Sequence, residues 1–167
     1  QEPEEIVSYL GKKFLNINTS CQKKFSLKNK TVLITAGPTF EAIDPIRGIT
    51  NKSSGKLGYA IAEISKNAGA NVIVVSGPVS INPFNSVKVE KVESADQMLK
   101  KVKKIIKDEK VDIFFSVAAV SDWKPKIYSK DKIKKSTHNC LNEIQWEQTK
   151  DILYEIASIK NKTRPFV

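Results

Sequence analysis

Runs of consecutive apolar, β-branched residues alternate along this chain with stretches of helical period, and that alternation narrows the folds open to it. Thr31-Val32-Leu33-Ile34-Thr35, Asn71 to Ser76 and Val111 to Val120 are apolar almost throughout, not at every second position. Strands of this kind are covered on both faces, as parallel sheets are. Between them Leu57, Ala60, Ile61, Ile64 and Ala68 share one face of a helix over Gly55 to Asn67, which Gly69 stops. Val87, Val89 and Val92 mark another strand. Ser94, with Gln97 three residues on, is a capping box that opens a helix along Met98, Val102, Ile105 and Ile106. The order predicts an α/β fold built on a doubly wound parallel sheet.

The flanks read differently. Residues 3–14 predict a short amphipathic helix, with Ile6, Val7, Leu10 and Phe14 as its stripe, and the polar stretch to Lys30 reads as a linker. The domain proper is therefore expected over 30–167, with 1–29 outside it. After Ser121 the lysine-rich stretch 123–139 suggests a mobile loop or hairpin, followed by a strand near Leu141 to Gln148 and a helix over Lys150 to Ile159. Met98 is the sole methionine, and Arg164-Pro165-Phe166-Val167 reads like a strand just starting. Both ends look cut, so the chain is expected to be a C-terminally truncated piece of something longer.

At 167 residues the chain suits one domain with a proper core. No apolar run approaches the roughly 20 residues that cross a bilayer, and no basic-then-apolar leader is present. Cys21 and Cys140 lack metal spacing and read as free thiols in a reducing compartment or as one disulfide. A cytoplasmic protein is expected, without a membrane partner. The formal charge of +10 favours anionic partners. It is carried almost wholly by lysine, since Arg47 and Arg164 are the two arginines. Sequence readers of nucleic acid lean on arginine and interleaved aromatics, so solvated faces are expected here and no nucleic acid.

In a doubly wound sheet, ligands bind beyond the carboxyl ends of the strands. The connection from Gly37-Pro38-Thr39 to the helix near Gly55 is far longer than the usual 2–6 residues, which points to function. It meets neither standard glycine fingerprint. Gly37 stands alone where G-x-G-x-x-G is wanted, and Thr50 and Leu57 replace the first glycine and the metal-binding hydroxyl of a P-loop. Asn51-Lys52-Ser53-Ser54-Gly55-Lys56-Leu57-Gly58 reads either as a phosphate cradle at a helix N-terminus or as an ordinary serine cap. Ala118-Ala119-Val120-Ser121-Asp122 lets a ligand lie on the backbone with Asp122 as acceptor, or marks close helix packing and a turn aspartate. Lys132-Ile133-Lys134-Lys135 reads as a solvated loop or a cationic lid, and His138 as a surface histidine.

Together these segments resemble one family. Ile34-Thr35-Ala36-Gly37-Pro38-Thr39, Glu41, Ile43-Asp44-Pro45-Ile46-Arg47 and Ile49 to Gly58 are similar to the opening of bacterial phosphopantothenoylcysteine synthetases. Val75-Ser76-Gly77-Pro78-Val79, Ala118 to Asp122 and Lys132 to Lys135 follow in the family's order. Glu2-Pro3-Glu4-Glu5-Ile6-Val7 resembles the tail of the flavin-dependent decarboxylase half of the bifunctional enzyme, where FMN would belong.

The resemblance implies a Rossmann-like fold and a ligase of coenzyme A biosynthesis. Such an enzyme activates 4'-phosphopantothenate with CTP and Mg²⁺ as an acyl-cytidylate, then condenses it with L-cysteine. It implies that Asn51 orients the acyl carbonyl and that Lys132 neutralises charge on the nucleotide or intermediate. Gly37, Ser53, Ser54, Gly55, Gly58, Ala118, Ala119, Asp122, Lys134, Asp151 and Ile152 would hold the nucleotide. Arg47, Asn51 and Ala118 would meet the acyl substrate. The synthetase domains would pair as a homodimer, with higher assembly through the decarboxylase half. Thr149-Lys150-Asp151-Ile152 departs from the family's Asn-Pro-Asp-Ile. The chain also stops before the Gly-Phe-Ala-Ala-Glu-Thr block that completes the pocket, so it need not be active alone. A nicotinamide-dependent oxidoreductase is the other reading of this fold. It wants the glycine triplet and an acid ending the second strand, where this chain has Ser76-Gly77.

Overall fold

In chain order the elements are β1 (Thr31–Ala36), β2 (Phe40–Ala42), β3 (Gly48–Thr50), α1 (Lys56–Asn67), β4 (Asn71–Ser76), β5 (Lys88–Lys91), α2 (Ala95–Asp108), β6 (Ile113–Ser116), β7 (Trp123–Pro125), β8 (Trp146–Gln148) and α3 (Ile152–Ala157). The computed structural model describes residues 5, 6, 9, 26–81, 87–133, 144–160 and 164–167. Lys134, His138, Cys21 and Cys140 lie outside them, as do most of the expected N-terminal helix and the linker. Glu5, Ile6 and Tyr9 are helical.

Four strands form the central sheet in the order β5-β4-β1-β6, every neighbouring pair parallel. The chain winds one way from β1 through β4 to β5, then returns to the other side of β1 with β6. The winding therefore reverses between β1 and β6, which makes their carboxyl ends the place where a doubly wound sheet opens a crevice. This is the α/β, Rossmann-like sheet expected from the sequence.

The fully apolar strands are explained by a core on each face. Val32, Ile34 and Ala36 of β1 pack with Val72 and Val74 against Tyr59, Ile61 and Ala62 of α1. Leu33, Ile73, Val75 and Phe114 pack on the opposite face against Met98, Val102 and Ile106 of α2 and Ile152 and Ile156 of α3. Each buried Val, Leu, Ile, Phe or Met among them contributes about 1.5–3 kcal/mol. Leu27, placed in the linker by its polar surroundings, is 4% exposed and belongs to the α1-side core. Ile6 packs against the same core.

Two features differ from expectation. The strand expected over Val111 to Val120 ends at Ser116, because the following backbone leaves β1 to bond the turn after it: Ala119 N–H donates to Gly37 O at 2.8 Å. The long connection after β1 contains an unforeseen antiparallel hairpin, β2 with β3, whose three-residue strands are too short to show alternation. The lysine-rich stretch, expected as a mobile loop or hairpin, opens with β7, which pairs antiparallel with β8 inside the strand expected near Leu141 to Gln148. At the C-terminal end Phe166 pairs parallel with Ile113.

Candidate functional site

The end of β1 and the start of α1 each hold a glycine in a backbone conformation that favours it. Gly37 and Gly55 both have positive φ, 76° and 77°, and their backbones touch: a Cβ on Gly55 would lie 3.3 Å from Gly37 Cα. Gly55 is the N-cap of α1 and offers no side-chain cap. Ser53 and Ser54 hydroxyls instead accept the N–H groups of Gly55 and Lys56 at 3.3 and 3.4 Å, long for such bonds. No described residue accepts from the N–H groups of Leu57 and Gly58, and the first turn carries no acid. The positive end of this twelve-residue helix thus stays open to an anion. Gly58 serves packing: a Cβ there would come 2.6 Å from the Ala36 Cβ, so its absence lets α1 lie close on β1.

The β2–β3 hairpin returns the chain to this turn and delivers Asn51. Thr50 Oγ1 donates to Thr39 O at 2.8 Å, fixing the hairpin's end. Asn51, exposed, donates from Nδ2 to Ala119 O at 2.9 Å. Thr39 N–H donates to the same carbonyl at 3.2 Å, and Thr39 Oγ1 accepts Ser121 N–H at 3.0 Å. Asn51 is thereby held at the switch point, with its Oδ1 facing no described partner.

Beyond β6 the chain runs extended, so alternate residues face opposite ways. Ala119 and Ser121 face the β1 turn and are consumed in these bonds. Ala118, Val120 and Asp122 face α3, where with Ser116 they line a cleft of about 260 Å³ closed by Thr149, Lys150, Asp151, Ile152 and Leu153. Four predicted residues, Ala118, Asp122, Asp151 and Ile152, meet there. Asp151 also caps α3, its Oδ1 accepting Tyr154 N–H at 3.0 Å. Thr149 anchors the turn before α3: Oγ1 donates to Ser121 O at 2.5 Å and N–H to Asp122 O at 2.9 Å.

Two predicted residues stand elsewhere. Arg47 is bound to Asp44, with Nε and Nη2 on Oδ2 at 3.0 and 2.5 Å, and Nη2 also donates to Ile133 O at 2.7 Å. Lys132 is exposed on the segment beside it. The Arg47 guanidinium beside Asp44, with backbone N–H groups of Ile46, Ile133 and Arg47, holds that carboxyl far below the usual carboxylate range against the opposing effect of burial. Among the described residues no group of three or more His, Cys, Asp or Glu is placed to hold a metal.

Sequence reasoning missed Ser116, Val120, Thr149, Lys150 and Leu153 on the cleft wall. The every-second-residue rule applied to 116–122 would have found the first two. Glu41, quoted in the resemblance without a role, is buried and accepts Ala95 N–H at 2.8 Å at the start of α2. A larger cavity, about 490 Å³, opens between the ends of β4 and β5, and none of the predicted site residues lines it.

The family described as the DNA/pantothenate metabolism flavoprotein C-terminal domain matches residues 27–167. The coenzyme A biosynthesis bifunctional protein CoaBC of Vibrio vulnificus is 43% identical over 150 residues, 87% of this chain and 36% of that protein. The Bacillus subtilis protein of the same name is 40% identical over 163 residues, 97% of this chain and 38% of its own. The chain thus spans less than two fifths of either relative. Among solved structures, the C-terminal domain of a CoaBC protein aligns with a TM-score of 0.68 at 45% identity, over 81% of this chain and 62% of that one. A Cab2 mutant in complex with phosphopantothenate-cysteine aligns at 0.66 over 93% of this chain and 66% of that one, at 20% identity, a likeness of fold. Among the described residues no helix is long and apolar enough to cross a membrane.

Proposed function

The chain belongs to the DNA/pantothenate metabolism flavoprotein C-terminal domain family, and from that premise we propose that it carries the nucleotide-binding part of a phosphopantothenate–cysteine ligase of coenzyme A biosynthesis. In the reaction an oxygen of the 4'-phosphopantothenate carboxylate attacks the α-phosphorus of CTP. The bond to pyrophosphate breaks, leaving an acyl-cytidylate. The amine of L-cysteine then attacks the acyl carbon, an amide forms, CMP leaves with the bonding electrons, and the amine proton goes to solvent. A carboxylate is a poor acyl donor until such a leaving group is attached, and both steps gather negative charge that fixed donors stabilise.

The observation that carries the reading is the Asn51 amide on Ala119 O at 2.9 Å, on the same short segment whose alternate residues Ala118 and Asp122 line the cleft with Asp151. Held there by its Nδ2, Asn51 is fixed in direction before substrate arrives, as an orienting group must be. The nucleotide lies in the cleft, its phosphates running toward Gly37, Ser53, Ser54, Gly55 and the open N–H groups of α1. Lys132 and Lys134 answer its charge. Mg²⁺ carried by a triphosphate takes one or two protein carboxylates; Asp122 and Asp151 suit that donor set, and the ion would supply charge neutralisation. Arg47 keeps a subsidiary role toward the pantetheine phosphate through the side of its guanidinium not bound to Asp44. The formal charge of +10 suits substrates that are all anionic or zwitterionic.

The test is pyrophosphate release by the full-length protein, with CTP and 4'-phosphopantothenate but no cysteine. One burst of pyrophosphate that needs both substrates is expected. Asn51→Asp should cut its rate by on the order of a hundredfold while CTP binding changes little. Pyrophosphate release that ignores phosphopantothenate, or an Asn51→Asp variant with full rate, would sink the assignment.

A further inference from the structure

Asp44 sits in the turn between β2 and β3 with 1% of its surface exposed. Its Oδ1 accepts the N–H groups of Ile46 and Arg47, both at 2.9 Å, and those two bonds alone make the ordinary aspartate turn. Everything else on this carboxylate reaches outward. Oδ2 accepts Arg47 Nε and Nη2 and also the N–H of Ile133 at 3.2 Å, while Arg47 Nη2 donates to Ile133 O at 2.7 Å. One ion pair therefore grips both backbone groups of a residue 89 positions further along the chain. Four residues earlier, Ser129 N–H donates to Ile43 O at 3.0 Å, so the same turn holds the segment at both ends. Lys132 lies inside that hold, its side chain exposed.

An ion pair whose carboxylate is buried, with the arginine partly exposed as here, contributes little net stability, because desolvation offsets its attraction. Its distinctive effect here is geometric: it fixes a loop that has little apolar surface of its own to bury. We propose that Asp44, acting through Arg47, is a positioning residue that sets the place from which Lys132 projects. The inference rests on the function proposed above insofar as Lys132 meets the nucleotide; the clamp itself does not.

Two readouts in the full-length protein separate these claims. The first is amide hydrogen exchange at Ile133, which should quicken about tenfold or more in Asp44→Asn, as expected when a charge-assisted bond is lost. An unchanged Ile133 rate overturns the clamp. The second is a double-mutant cycle on CTP-dependent pyrophosphate release. Asp44→Asn should lower kcat about tenfold with less than about a threefold change in KM for CTP, and should add nothing in a Lys132→Gln background. Losses that multiply overturn the positioning role and leave Asp44 a structural residue. Should Asp44→Asn fail to fold, Ile133→Pro removes the same hydrogen bond from its other, half-buried end. It should reproduce the kcat loss with the unfolding midpoint unchanged, and full activity in that variant overturns the proposal. If wild-type protein releases no phosphopantothenate-dependent pyrophosphate, the function above fails, and the clamp still stands or falls on the exchange rate.

Discussion

Ser65 is fully buried on α1, and its Oγ is the one buried side-chain polar atom among the described residues without a hydrogen-bond partner. An unpaired buried hydroxyl costs stability, and serine is a poorer helix former than alanine. Ser65→Ala should therefore stabilise the fold by about 1 kcal/mol, seen as a higher urea midpoint at unchanged slope. A lower midpoint would mean that the hydroxyl bonds a carbonyl of its own helix. Asp44 makes the opposite case, a buried group with every lone pair engaged. Its carboxyl is held below the ordinary carboxylate range, so folding binds it more tightly as the anion. The stabilisation it gives is then present above the unfolded pKa of about 3.9 and fades as pH falls below that value. The stability gap between wild type and Asp44→Asn should stay level from about pH 5 to 8 and narrow in acid. A gap that widens in acid would contradict the sign.

At the scale of elements, α1 depends on one missing side chain. Gly58→Ala would put a Cβ 2.6 Å from that of Ala36, on a strand with no room to retreat. Destabilisation of about 1–3 kcal/mol is expected, with weaker nucleotide binding because the helix N-terminus is pushed away from the Gly37 turn. Calorimetry with CTP and a urea titration would check both, and a variant as stable as wild type would show that α1 can shift freely. Which elements were legible in the sequence follows from how locally each is encoded. β1 and β4 announce themselves by consecutive β-branched residues, and α2 by Ser94 and Gln97. Ser94 Oγ does accept Gln97 N–H at 3.3 Å, although Gln97 Oε1 reaches Glu93 N–H rather than the cap residue's own. The β2–β3 hairpin was not legible, since three-residue strands carry no period. Its form comes from bonds to distant partners: Thr50 to Thr39, Asn51 to Ala119, Asp44 to Ile133. The same holds for the site. Asn51, Ala118 and Asp122 were found from the family's motifs, whereas Thr149 and Lys150 enter the cleft only through the packing of α3 after β8.

For the molecule as a whole, the β7–β8 hairpin poses the remaining physical question. A two-stranded sheet is marginal unless one face is covered. One face is: Lys124 pairs with Asp96 at the start of α2 and with Glu147 opposite it on β8, and Asp96 foremost raises the Lys124 pKa. On the other face Trp123, Pro125 and Trp146 lie together by register, and both tryptophans are exposed, at 49% and 40%. Ile127 and Tyr128, just past β7, are exposed as well, at 76% and 51%. Two tryptophans sharing one open face, Trp146 opposite Pro125 and Trp123 opposite Gln148, are what an interface uses as anchors. A second copy is the simplest cover, since a two-fold axis buries the same patch from both sides. Sedimentation at micromolar concentration should then show a dimer, and Trp123→Lys with Trp146→Glu should shift it to monomer. The Lys124 contacts and the unfolding midpoint should be little changed, because the substituted face is not the one tied to α2. A wild-type monomer at those concentrations would leave the two tryptophans to another occupant and remove the dimer from the account.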